Sequence, residues 1–379
     1  MKNSWTLVIS SVLASAISGS ALSSPFDVGE IRYSPTVFAI AAGQPSVSTG
    51  DFNADGKQDL VIASYSDNQI FVYLNNAHNQ LTRTGSFSAG ESPTDMAIAD
   101  VDSDGYLDIA IANHETSYIT LLLGDGKGNF TPAPESPMKL GIKPHPHAVL
   151  LKDINGDRVA DLIVDSRDDD SVLVIPGLLD GQFALPGTRV DVGGDPYRGF
   201  AVDDINGDGA PDIVTPNEAN IGIAINAGAD MAFSLTTLNQ SEPPFAIALA
   251  DMNGDGNPDV VAATNRDSLT VIPGDGQGTF ITSKKTLIKT ASGAKQIAIG
   301  DVNGDKIDDL LVSSWSGEVV LVIGGKAALQ TYSFKHSDIP NPWGIALDDL
   351  NDDGLSDIII ANGNGKTAVI YFSMAKGAD

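Results

Sequence analysis

Oxygen-bearing side chains are the groups in this sequence whose type and spacing could do chemistry. A nine-residue phrase with aspartate at positions 1, 5 and 9 occurs seven times, and its position 3 is asparagine in six copies and aspartate in one. The donors are Asp51, Asn53, Asp55 and Asp59; Asp100, Asp102, Asp104 and Asp108; Asp153, Asn155, Asp157 and Asp161; Asp204, Asn206, Asp208 and Asp212; Asp251, Asn253, Asp255 and Asp259; Asp301, Asn303, Asp305 and Asp309; and Asp349, Asn351, Asp353 and Asp357. Alternating hard oxygens on one short loop suit Ca2+, which takes many oxygen ligands in a flexible geometry. The chain is therefore expected to hold up to seven calcium ions. Glycine at position 6 (Gly56, Gly105, Gly209, Gly256, Gly354) permits the sharp turn. Arg158 and Lys306 replace it in the third and sixth copies and place a cation beside the loop, so those two sites are expected to bind least well. An EF-hand is excluded: it needs a bidentate glutamate at position 12, and here that position holds Ile62, Ile111, Val164, Thr215, Ala262, Val312 and Ile360. A metal-free Asp/Asn/Gly turn could explain one copy, but not seven that keep all three aspartates.

The elements that must position these loops are short strands. Upstream of each phrase lies an apolar segment such as SPTDMAIA. Downstream come two apolar runs such as DIAIAN and YITLLL, then a Gly-rich turn such as GDGKGNF. Four strands in a unit of about fifty residues is the spacing of an all-β array. Seven units fill residues 22–379 as one domain. Acidic residues number 49 against 22 basic ones, a net charge of −27, which argues against nucleic acid or an anionic membrane as partner. The absence of cysteine removes disulfides, thiolate zinc sites, iron–sulfur clusters and cysteine nucleophiles together. Residues 1–21 read as a signal peptide, with Lys2, an apolar stretch from Trp5 to Ile17, and Gly19-Ser20-Ala21 suited to cleavage. That stretch is too short to span a bilayer, so a secreted or periplasmic soluble monomer is expected.

The phrase D-x-N-G-D-G-x-x-D followed by an apolar strand, with the G-D-G-x-G-x-F turns at Gly124 to Phe130 and Gly274 to Phe280, resembles the FG-GAP/VCBS-type repeats also used by integrin α-subunits. The resemblance covers essentially the whole mature chain. It implies a seven-bladed β-propeller with four-stranded blades and a calcium site between the first and second strands of each blade. The last repeat ends soon after its third strand, so the segment from Ile31 to Ala41 is expected to close the ring as the outer strand of the last blade.

On such a scaffold the residues six before each leading aspartate would stand opposite the calcium loops. They include Thr94, His147, Arg198, Phe245, Lys295 and Trp343, with Trp315 reaching the same face from a neighbouring loop. Aromatics mixed with cations suit an acidic sugar or an acidic peptide. Small residues three before each aspartate, such as Ala97, Ala248 and Ala346, are expected to line the channel. Catalytic signals are sparse. His114-Glu115 opens like a zinc-protease helix, but Tyr118 stands where the second histidine belongs and the segment reads as a strand loop. No G-x-S-x-G elbow occurs. Pro144-His145-Pro146-His147 is expected to be a rigid loop with solvated imidazoles, although a histidine there could serve as a base. The leading expectation is a calcium-binding module for an extracellular glycan or protein without catalysis; the alternative is a polysaccharide lyase or hydrolase on the same propeller.

Overall fold

The structure, a computed structural model, describes residues 25–375 except 41–42, 77–79, 197–198, 229, 265 and 291–292. The signal-peptide expectation and Arg198 lie outside the described residues. Seven antiparallel sheets form a ring, and the inner strands pack against their neighbours around it. The first blade shows the plan. Its inner strand Pro45–Gly50 leads through the first aspartate loop to Asp59–Ser64, then to Gln69–Asn75 and the outer strand Leu81–Ser88. The second strand of each blade is buried on both faces, as in Asp108–Asn113 and Asp357–Asn362. This is why these segments read as unbroken apolar runs rather than alternating ones.

Ring closure is as the sequence implies, with one strand more. Ile31–Ala39 pairs antiparallel with Thr367–Ala375 over nine residues, and Phe26–Val28 adds a fifth strand outside it. Among the described residues no helix is long and apolar enough to cross a membrane.

The core is seven interblade layers, each formed by the facing sides of two adjacent blades. Position 2 of every aspartate phrase is an apolar residue buried in the layer shared with the next blade: Phe52, Val101, Ile154, Ile205, Met252, Val302 and Leu350. Each loop is thus pinned to the seam between blades. The small residues three before each aspartate are not among those that line the cavity at the channel mouth. Ala97 and Ala248 are members of interblade layers, and Ala298 and Ala346 pack against them. An inner strand turns its two faces to its two neighbours and only its edge to the axis. Its side chains must therefore be small because adjacent wedges converge there.

Candidate functional site

Two sites lie at opposite ends of the inner strands, which in five of the seven blades have six or seven residues, about 20 Å. At one end are the aspartate loops. In the first, the N–H groups of Asp55 and Gly56 donate to Asp51 Oδ1 and Oδ2 at 3.1 and 2.8 Å, and Lys57 N–H donates to Asp55 Oδ1 at 3.0 Å. The turn has left-handed residues at positions 4 and 6, so glycine is favoured at both. Arg158 and Lys306 take the same conformation at position 6, with φ of 71° and 64°. The third and sixth loops therefore keep the turn under backbone strain.

The position 9 aspartates are fully buried. Asp59 accepts Phe52 N–H on Oδ2 at 3.0 Å and Asn75 N–H on Oδ1 at 2.7 Å. The same pair of bonds recurs in all seven blades, as at Asp259 from Met252 and Gly274. Where the second donor is glycine, a Cβ would collide with a carbonyl, Leu107 O for Gly124 and Pro258 O for Gly274, which explains the leading glycine of the G-D-G turns. Burial, reinforced by Asp55 and Asp51, pushes the Asp59 carboxyl up to about 6; burial and Asp353 push Asp357 up to about 7. The residues fit a hard cation. Four oxygen-bearing side chains share each loop, Asp100, Asp102 and Asp108 come within 4.8 Å of one another, and a carboxylate oxygen that accepts a single N–H, such as Asp51 Oδ2 from Gly56, retains a second lone pair.

At the other end the channel mouth opens as a cavity of about 420 Å³ lined from all seven blades. Thr94, His147, Lys295 and Trp343 line it, as expected from their register, together with Gln44, Tyr65, Asp95, His114, Phe200 and Gln296. Trp315 stacks edge-on to Trp343 with ring centroids 5.3 Å apart. Lys295 is not a solvated rim cation. It is 4% exposed, its Nζ donates to Pro342 O at 2.8 Å and to Asn341 Oδ1, and it sits 4.7 and 5.0 Å from the rings of Trp315 and Trp343, a paired cation–π arrangement. Phe245 departs from expectation as well: it is 6% exposed and belongs to a neighbouring cavity with Glu218, Glu242 and Arg266. In blades 2, 5, 6 and 7 the position six before the aspartate falls at a register irregularity, between Pro93 and Asp95, Pro244 and Ala246, Ala294 and Gln296, and Pro342 and Ile345; Thr94, Lys295 and Trp343 line the cavity from that position, and Phe245 alone of the four does not.

Of the two proline-framed imidazoles, His145 is partly solvated, with 38% of its side chain exposed, and His147 is not. His147 and His114 side chains are 12% and 19% exposed, and their Nε2 atoms lie 3.0 Å apart. His145 Nδ1 is 3.3 Å from His114 Nε2. His114-Glu115 occupies a turn between strands, as expected, so the zinc-protease helix is absent. Its histidine nonetheless joins a cluster.

Beneath the cluster lie two acids that sequence reasoning passed over, Asp165 fully buried and Asp95 half-buried at the cavity wall. Asp165 accepts N–H bonds from His147 and Ala148 at 2.7 and 2.9 Å, and Asp95 accepts Val149 N–H at 3.2 Å. They bond the backbone where blade 3's inner strand, Val149–Lys152, begins. Burial pushes their carboxyls up to about 7 and about 6. A charge interrupting the apolar run LIVDS was the available signal.

The fold and the aspartate loops together define a class, the seven-bladed β-propeller with carboxylate-rich loops between its first and second strands. Within it, the chain belongs to the FG-GAP-like repeat family, whose repeats match residues 51–111, 100–164, 204–262 and 251–312. Among solved structures, BBS1N in complex with ARL6DN is similar over 91% of this chain and 97% of that one, at 14% identity and a TM-score of 0.63. An Agrocybe aegerita lectin that recognises non-reducing terminal N-acetylglucosamine is similar over 77% and 80%, at 20% identity and a TM-score of 0.55. A Lactobacillus plantarum protein is similar over 90% and 92%, at 15% identity and a TM-score of 0.57. At these identities the likeness is one of fold. No curated protein matches the sequence.

Proposed function

We propose that this protein is an exported, calcium-braced propeller that binds a glycan at the mouth of its channel without chemistry. The observation that carries the reading is the cavity itself. It has the volume of a small-ligand site, and it presents Trp343 with Trp315 and Lys295 beside it and the amides of Gln44 and Gln296 around it. A sugar ring offers a C–H face to an aromatic and hydroxyls to amides and carbonyls. Calcium would be held by the side chains at positions 1, 3, 5 and 9 of each loop, more weakly where Arg158 and Lys306 stand, and would supply cancellation of carboxylate repulsion at the blade seams. The lectin and the BBS1N complex illustrate that propellers of this shape bind glycans and proteins alike.

Glycan-array screening followed by calorimetry tests the reading, with Trp315→Ala as the variant because Trp315 is 45% exposed. Binding is expected to weaken on the order of 10- to 30-fold, a loss of about 2 kcal/mol for an aromatic anchor, while the melting temperature in calcium falls only by the loss of one of the two cation–π contacts of Lys295. Affinity that ignores Trp315→Ala, selective capture of protein ligands alone, or unsaturated uronate absorbance from acidic polysaccharides would each overturn it.

A further inference from the structure

Three of the chain's five histidines meet at one corner of the channel mouth, far from the oxygen-donor loops. His114 stands in the turn that follows Asp108–Asn113, and His145 and His147 lie on the segment that enters the next blade at Val149–Lys152. His114 Nε2 is 3.0 Å from His147 Nε2 and 3.3 Å from His145 Nδ1. An imidazole nitrogen has one in-plane site, either a lone pair or an N–H. Hydrogen bonding therefore cannot satisfy His114 Nε2 towards both neighbours at once, whereas one cation facing three lone pairs satisfies all three nitrogens. Zn–N bonds of 2.0 to 2.1 Å place tetrahedral ligands about 3.3 Å apart, and His114 Nε2 stands 3.0 and 3.3 Å from its two neighbours.

Carboxylates stand beside the rings. Glu115 Oε1 is 3.0 Å from His114 Nδ1, and Asp165 Oδ2 is 3.9 Å from His147 Nδ1. The Glu115 carboxylate beside the second nitrogen of His114 is the usual kind of support that sets ring orientation and basicity, whereas Asp165 stands beyond hydrogen-bond distance of the His147 ring. His145 has φ of 86° and Glu115 61°, left-handed backbone of the kind that persists where a ligand clamp over-determines it. Imidazole donors suit a borderline cation and not calcium.

We propose that His114, His145 and His147 form a binding site for one Zn2+ ion, its fourth position open to the cavity that His114 and His147 line. The site is distinct from the aspartate loops, and it does not rest on the glycan reading although it shares the cavity.

The test is titration of Zn2+ into the protein at saturating calcium, against a competing chromophoric chelator, so that the aspartate loops are already filled. One equivalent is expected to bind tightly. His145→Ala, on the more exposed part of the cluster, and His114→Gln are each expected to weaken it by about 100-fold or more. Without zinc, the melting temperature of His145→Ala is expected to match that of the parent. Co2+ in place of Zn2+ is expected to give the visible bands of a four-coordinate, nitrogen-rich site. The proposal is overturned if calcium-saturated protein takes up no stoichiometric zinc, or if uptake survives both substitutions.

Discussion

Position 9 of the aspartate phrase differs from positions 1 and 5 in what surrounds it. Asp259 is fully buried and ties Met252 N–H to Gly274 N–H, joining the loop to the start of the turn after the third strand. The carboxylate of Asp255, exposed, accepts only from Asn257 within its own loop. Asp259→Ala leaves the buried Gly274 N–H without its acceptor and Met252 N–H with Ala250 O alone, and is expected to cost about 1 to 3 kcal/mol, with calcium or with chelator. Asp255→Ala is expected to lower the melting temperature only in calcium, where a ligand has been lost. Calorimetry of both variants in the two buffers separates a folding role from a ligand role. Equal losses confined to calcium would show that the buried bonds contribute nothing of their own.

At the scale of the element, closure depends on the strand that arrives first in the chain. Tyr33, fully buried, stacks on Phe26 at 5.4 Å, and its hydroxyl lies 2.6 Å from Val302 O and 3.0 Å from Ser356 O. The closing strand is therefore bonded to the sixth aspartate loop as well as to its own blade. Tyr33→Phe keeps the ring stacking and loses this bond, an expected cost of about 1 to 2 kcal/mol, read by denaturant unfolding at an unchanged m-value. Removing residues up to Ala39 exposes Thr367–Ala375 as an open edge, and such edges recruit other chains. Size-exclusion chromatography is expected to show association; a monomer of unaltered stability would mean that the strand is dispensable.

For the whole molecule the governing quantity is charge. Seven calcium ions would offset fourteen of the twenty-seven net negative charges, and the carboxylates concerned are gathered at the seams where blades meet. Millimolar calcium acting on sites of extracellular-type affinity adds about 1 to 3 kcal/mol per site by linkage. Chelation is expected to lower the melting temperature steeply. Molar NaCl is expected to restore part of the loss in chelator, because it shortens the Debye length to about 3 Å, while changing little in calcium. A melting temperature indifferent to chelator would remove calcium from the account.

The repeat, the all-β architecture and the oxygen-donor loops were legible in the sequence because the information is local: nine residues carry the donors and the turn, and their recurrence every fifty residues counts the blades. Ring closure was legible too, from a last repeat one strand short. The channel mouth was legible only in part. Register named Thr94, His147, Lys295 and Trp343, but the placement of Phe245 in a different cavity leaves no mark in apolar patterning, and the burial of Lys295 depends on Asn341 and Pro342 from the next blade. The histidine cluster lay further beyond reach. His114 and His147 are 33 residues apart and touch only because the loops of two adjacent blades converge at the axis. Strand period and ligand spacing are properties of a segment; which side chains meet where seven segments converge is set by the packing of blade on blade.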